Sequence, residues 1–218
     1  ISWFGRSLSW DWVQAQQDSE RAELEIARLG EWSRIPFTVI KGTAQVVLPA
    51  AIAQPSIALW RGITIIRSFG WYALAPLLIY GAYSALRTKN PNDKRIFLWM
   101  AAFSIIWVLI SSARAGGDLW DNPRYRTIFL PWFALLAAHG IQWAHQNRDP
   151  WLMRFFLVEI ISLGFFTEWY LARYQFSGLI RLKFWTMIAW IIGLSSLVIL
   201  GGLYLDYRHG KFSKKAKS

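Results

Sequence analysis

The chain has 218 residues, 55% of them apolar and only 17% charged, with fifteen Trp and a formal net charge of +11. The apolar residues come in blocks with Lys and Arg between and after them, a placement that orients a chain in a bilayer and argues against both a soluble domain and a nucleic-acid partner. There is no cysteine and there are three histidines, His139, His145 and His209. Disulfides, thiolate sites and thiol nucleophiles are therefore excluded, and no His/carboxylate spacing matches a metal centre.

Residues 1–35 read as an interfacial segment. Ser2-Trp3-Phe4 and Ser9-Trp10-Asp11-Trp12 mix aromatic and polar residues. Ile1 to Trp12 lacks both the basic and the apolar region of a cleavable signal peptide. From Ser19 the pattern turns helical, with Ser19 as a cap, Glu20 and Glu23 near the start, Arg28 near the end and Gly30 as a terminator. Ala22, Ile26 and Leu29 share one face, so an amphipathic helix is expected, lying on the membrane or on the protein itself.

Residues 36–207 read as a transmembrane bundle. Its first part, 37–60, is apolar but interrupted by Lys41 and broken by Pro49 and Pro55. A spanning helix wants about 20 mostly apolar residues. A pair of short re-entrant helices or one kinked span is therefore expected here. Further spans are expected near 70–86, 96–112, 127–143, 151–171 and 184–205. The last of these is the cleanest, and its length at 1.5 Å per residue gives about 33 Å, enough for a ~30 Å hydrocarbon core. The expected fold is all-α: a polytopic helical membrane protein with about five transmembrane helices, a kinked or re-entrant segment and an N-terminal amphipathic helix. Residues 208–218 form a basic tail.

More Lys and Arg lie in the turn after the first span, the turn after the third and the tail than in the intervening connections. That asymmetry puts the C-terminus in the cytoplasm of a multi-pass protein of the inner membrane, with membrane lipids as its surroundings.

Ser111 to Ala138 holds the densest chemistry. Two apolar runs meet there across a polar loop carrying Arg114, Asp118, Asp121, Arg124 and Arg126. Arg124 and Arg126 flank Tyr125 just before a span, where free N–H groups and a positive dipole end would add to the two guanidiniums. A planar guanidinium grips phosphate oxygens in pairs, so a surface phosphate or pyrophosphate site is expected. Asp118 and Asp121 would hold the arginines, bind a divalent cation or act as a general base. An ordinary hydrated loop fits the same composition. Within the fourth span, Glu159 and Glu168 are carboxylates at membrane depth, with Arg154 five residues before Glu159. Such groups are functional candidates unless a neighbouring Arg or hydroxyl pairs them. No cofactor is evident, and no internal repeat suggests a transporter.

The stretch Asn122 to Ala138, NPRYRTIFLPWFALLAA, resembles a late segment of GT-C glycosyltransferases, nearest the bacterial family 39, protein-O-mannosyltransferase-like branch. In that family an Arg-Tyr loop runs into a span bearing prolines and an A-L-L-A ending. Here the pattern is Arg124-Tyr125-Arg126, then Pro131, then Ala134-Leu135-Leu136-Ala137. Ile35 to Trp143 is the part covered. The resemblance implies sugar transfer from a polyprenyl-phosphate donor, with Arg124 and Arg126 at the lipid phosphate. The family's catalytic acid belongs to a first extracytoplasmic loop that has no counterpart here, so the resemblance concerns the C-terminal membrane part. The alternative is a non-catalytic membrane subunit packed within a larger membrane complex.

Overall fold

The structure, a computed structural model, describes residues 20–45, 47–49, 52, 57–115, 127–174 and 180–208. In chain order the helices are α1 (Glu20–Leu29), a 3-10 turn (Glu31–Ser33), α2 (Arg34–Gln45), α3 (Ala58–Arg87), α4 (Pro91–Ala115), α5 (Leu130–Asn147), α6 (Trp151–Tyr174) and α7 (Phe184–Arg208). No strand occurs among the described residues. Helices α3, α4, α6 and α7 are each long and apolar enough to cross a membrane. The protein is an all-α, polytopic membrane protein.

Three boundaries differ from those read in the sequence. The first span is expected from residue 70, but α3 starts at Ala58 and runs for 30 residues, about 45 Å at 1.5 Å per residue. Arg61 and Arg67 interrupt its early turns without breaking helical geometry, because Arg is a good helix former. The segment 37–60 is not one kinked span. Helix α2 stops at Gln45, a turn follows at 47–49, and Ala58–Trp60 already belong to α3. The third expected span becomes α5, only 18 residues long. Its last turns carry Gln142, His145, Gln146 and Asn147, so its apolar stretch is shorter than those of α3, α4, α6 and α7.

Helix α1 ends where the sequence says it should. Gly30 adopts φ +97°, a left-handed conformation that a side chain would strain. Ser33 returns a backbone bond to the Gly30 carbonyl at 2.9 Å. Arg34 then locks the corner. Its guanidinium donates to Glu23 at 2.7 and 2.9 Å and to Glu31 at 2.9 and 3.1 Å. These bonds hold the Glu31 carboxyl below the usual carboxylate range and push the Arg34 guanidinium up. Of the expected apolar face, Ile26 is buried while Leu29, in the final turn, is exposed.

Helix α3 is the centre of the bundle and packs on α4, α5 and α6. Trp71 meets Phe133 and Tyr80 meets Trp143, so α3 and α5 run in the same direction. Their backbones approach so closely that a Cβ on Gly81 would sit 2.6 Å from the Leu136 carbonyl oxygen. Small residues permit such contact between membrane helices, where van der Waals packing does the work of the hydrophobic effect. Helix α4 runs against both, with Phe97 stacked on His139 and Trp107 against Phe129. Helix α6 returns along α3 through Tyr83 and Phe155, and α7 returns along α6.

These directions give the bundle two distinct ends. One gathers Ala115, the last residue of α4, with Thr127, Trp169 and Phe184; we call it the loop end. The other gathers Arg87, Asp93, Asn147, Asp149, Trp151 and Asp206; we call it the basic end. Helix α2 lies towards the loop end, where Thr43 Oγ1 donates to Ser112 Oγ at 3.1 Å.

Candidate functional site

Most of the residues singled out in the sequence as a site, Asp118, Asp121, Arg124, Tyr125 and Arg126, lie outside the described residues, as does the side chain of Arg114. The structure does place the two ends of their loop, at Ala115 of α4 and Thr127 ahead of α5. It also places Glu159 and the space in front of it.

Glu159 lines a cavity of about 500 Å³ between α2, the turn that follows it, α3 and α6. Pro76 shapes one wall. It has no N–H to return to the Tyr72 carbonyl, so α3 is interrupted there without ending. Tyr72 in turn donates its hydroxyl to the Leu48 carbonyl at 3.1 Å, tying the turn after α2 to the same level of α3. The walls are otherwise apolar, from Phe155 and Ile79 up to Trp169 and Phe184. The cavity therefore rises from mid-bundle towards the loop end. Apolar walls around one convergent polar group are the usual make-up of a small-molecule site.

The carboxylate of Glu159 does not find the partner expected of it. Its Oε1 is buried without any hydrogen-bond partner. Arg154, five residues earlier, points instead at Asp206 of α7, donating at 2.8 and 3.3 Å. Nearby Ser162 gives its hydroxyl to the Val158 carbonyl at 3.1 Å, so it is engaged along its own helix. Both carboxylate oxygens of Glu168 are likewise buried without a partner. A separation of nine residues turns about 180° around the helix, and Glu168 faces a different groove, lined by Ile160, Leu163, Gly164 and Thr167. The two glutamates therefore do not act on one site.

The basic end holds a polar cluster that reading the sequence did not single out. Asp149 accepts from the Tyr80 hydroxyl at 3.2 Å and the Trp151 backbone N–H at 3.2 Å, and stands 4.0 Å from Arg87. Asp206 accepts from the Trp151 indole N–H at 2.8 Å as well as from Arg154. Room for the Arg154 side chain exists because residue 202 is glycine: a Cβ there would lie 2.8 Å from the guanidinium. A signal for this pairing existed. Arg154 and Asp206 are opposite charges, each within a few residues of the same end of consecutive antiparallel apolar runs. Among the described residues no group of three His, Asp or Glu side chains converges as a metal site requires.

Compared with known proteins, the chain matches no family model, no curated protein and no solved structure.

Proposed function

We propose that this chain is the C-terminal membrane portion of a glycosyltransferase-like protein that uses a polyprenyl-phosphate sugar donor. The observation that carries the reading is a juxtaposition. Ala115 and Thr127, which flank the stretch of sequence containing Pro123-Arg124-Tyr125-Arg126, lie at the end of the bundle towards which the apolar Glu159 cavity rises. A lipid-linked phosphate needs those two surroundings together: guanidiniums for the phosphate and an apolar slot for the chain. In this reading Arg124 and Arg126 grip the phosphate, with Tyr125 and Arg114 beside them. Asp118 and Asp121 orient the arginines. The isoprenoid lies along α3 and α6, and the catalytic acid is not assigned to any residue. The loop faces the extracytoplasmic side of the inner membrane and the C-terminus faces the cytoplasm, as the Lys and Arg asymmetry requires.

The test uses the protein in lipid nanodiscs with a photoreactive polyprenyl phosphate. Arg124→Ala is expected to lower specific labelling by about tenfold or more, the worth of a charge-assisted bond to phosphate, with Tm unchanged. Equal loss of labelling and thermal stability would mean that the arginine is structural and would remove the phosphate-site reading. Single cysteines introduced into this cysteine-free chain at the loop and the tail should label from opposite sides of the membrane.

A second reading, a non-catalytic subunit of a larger membrane complex, draws on a different observation. Helix α3 exceeds a ~30 Å core, and its early turns expose Trp60, Ile63, Ile66 and Phe69. Large apolar side chains exposed around these turns leave surface that a neighbouring membrane protein could cover. Sugar transfer by the isolated protein would decide against this reading.

A further inference from the structure

The cavity at the basic end, about 1030 Å³, is larger than the Glu159 slot and differs from it in kind. Helix ends from α3, α4, α5, α6 and α7 enclose it. Its walls combine aromatic rings (Tyr83, Trp143 and Phe155 among them) with the side-chain amides of Gln142 and Gln146. Most of its charges are already engaged inside the protein. Asp149 is held by Tyr80, the Trp151 N–H and Arg87, and Asp206 by Trp151 and Arg154. Arg87 also lies 4.3 Å over the Tyr83 ring. Two lining charges stay outside any ion pair, although Asp93 also acts electrostatically on the His139 ring across the cavity. Lys89, between α3 and α4, and Asp93, in the first turn of α4, are exposed and make no ion pair among the described residues.

We propose that this cavity seats a phosphoethanolamine headgroup, with the phosphate against Lys89 and the ammonium against Asp93. One cation and one anion outside any ion pair suit a zwitterion, whereas a net anion would be attracted by Lys89 but repelled by Asp93. A primary ammonium brings N–H donors that the Asp93 carboxylate and the amide oxygens of Gln142 and Gln146 can accept; a quaternary ammonium brings none. The depth agrees. The cavity sits where the apolar lengths of α3, α4, α6 and α7 end, the level at which headgroups and aromatic belts meet. A phosphoethanolamine lipid is the source this position favours, and the same chemistry in a soluble phosphoethanolamine is the other.

The experiment uses the full chain in neutral detergent, with retained lipid read by native mass spectrometry. The probes are phosphatidylethanolamine, phosphatidylglycerol, phosphatidylcholine and free phosphoethanolamine. Phosphatidylethanolamine should be retained in preference to the other two lipids. Lys89→Gln and Asp93→Asn, both at exposed positions that leave the helix contacts intact, should each weaken its retention about fivefold, the usual worth of one surface charge at a headgroup. Phosphatidylglycerol should respond to Lys89→Gln alone. Displacement of the lipid by equimolar phosphoethanolamine would keep the chemistry and assign the source to solution. Phosphatidylethanolamine held no better than phosphatidylcholine, or held equally by both variants, would overturn the proposal.

Discussion

Helix α6 carries two kinds of charged residue within a short distance. Near its start, Arg154 has its guanidinium on Asp206 and 4.6 Å over the Trp151 ring. About a turn and a half later, Glu159 faces an apolar cavity with Oε1 bonded to nothing. The first arrangement has its hydrogen bonds satisfied and ties α6 to α7. The second leaves an acceptor unused at a depth where each unused polar group is costly. Saturated polar groups stabilise a fold, while an unsatisfied one facing a cavity has capacity left for a ligand or a proton. The contrast separates the part of α6 that holds the bundle together from the part that faces open space.

The sharpest way to break this comparison is to remove one member from each region. Asp206→Ala strips the partner from a largely buried guanidinium and from the Trp151 indole. Loss of one member of a buried pair costs about 3–5 kcal/mol, which should appear as a large fall in Tm in nanodiscs. A Tm unchanged by Asp206→Ala would mean that the network does not hold α6 to α7. Glu159→Leu should have a smaller effect of the opposite sign. It removes a half-buried carboxyl whose Oε1 has no hydrogen-bond partner, so Tm should hold or rise, by an amount on the order of 1–3 kcal/mol in stability. Photolabelling by polyprenyl phosphate should meanwhile change in its attachment along α3 and α6. A Glu159→Leu variant that loses stability as Asp206→Ala does would show that Glu159 has a structural partner after all.

The smallest expected effect concerns the α1–α2 corner, where saturation is complete but exposed. Glu31 has its carboxyl held below its ordinary value by hydrogen bonds from Arg34. A depressed folded-state carboxylate adds stability that is present above its unfolded value, near 4.5, and is lost as pH falls through the folded one. Amide hydrogen exchange at Gly30 and Ser33 should therefore be flat from neutral pH down to that window, after intrinsic rates are divided out, and accelerate only below it. Glu31→Gln should abolish the acceleration. An acceleration that survives the substitution would assign the acid sensitivity to Glu23.

Much of the fold was legible because a transmembrane helix declares itself in one dimension: a long apolar run cannot leave its backbone unbonded in lipid, so it becomes helical. That is why α4, α6 and α7 lie close to the spans expected from hydropathy. Gly30 was legible for a similarly local reason, since a terminator follows from backbone conformation alone. The early turns of α3 were not, because Arg61 and Arg67 lower hydropathy without lowering helix propensity. The candidate site divides in the same way. The Arg124-Tyr125-Arg126 motif is a property of adjacent residues and stands in the sequence; the Glu159 cavity depends on Pro76, Leu48 and Trp169, which are far apart in the chain.

The sequence by itself therefore determined the class of this protein and the places of most of its long helices. Each of these depends on neighbours along the chain or on a composition averaged over one segment. Only the tertiary structure decided which charges are used and which are spare. Arg154 and Glu159, five residues apart, lie about 140° apart around α6, so the partner of Arg154 had to come from another helix. The packing of α7 against α6, with glycine at 202 to admit the side chain, gave Arg154 to Asp206, because a hydrogen bond goes to the acceptor that helix geometry brings within reach.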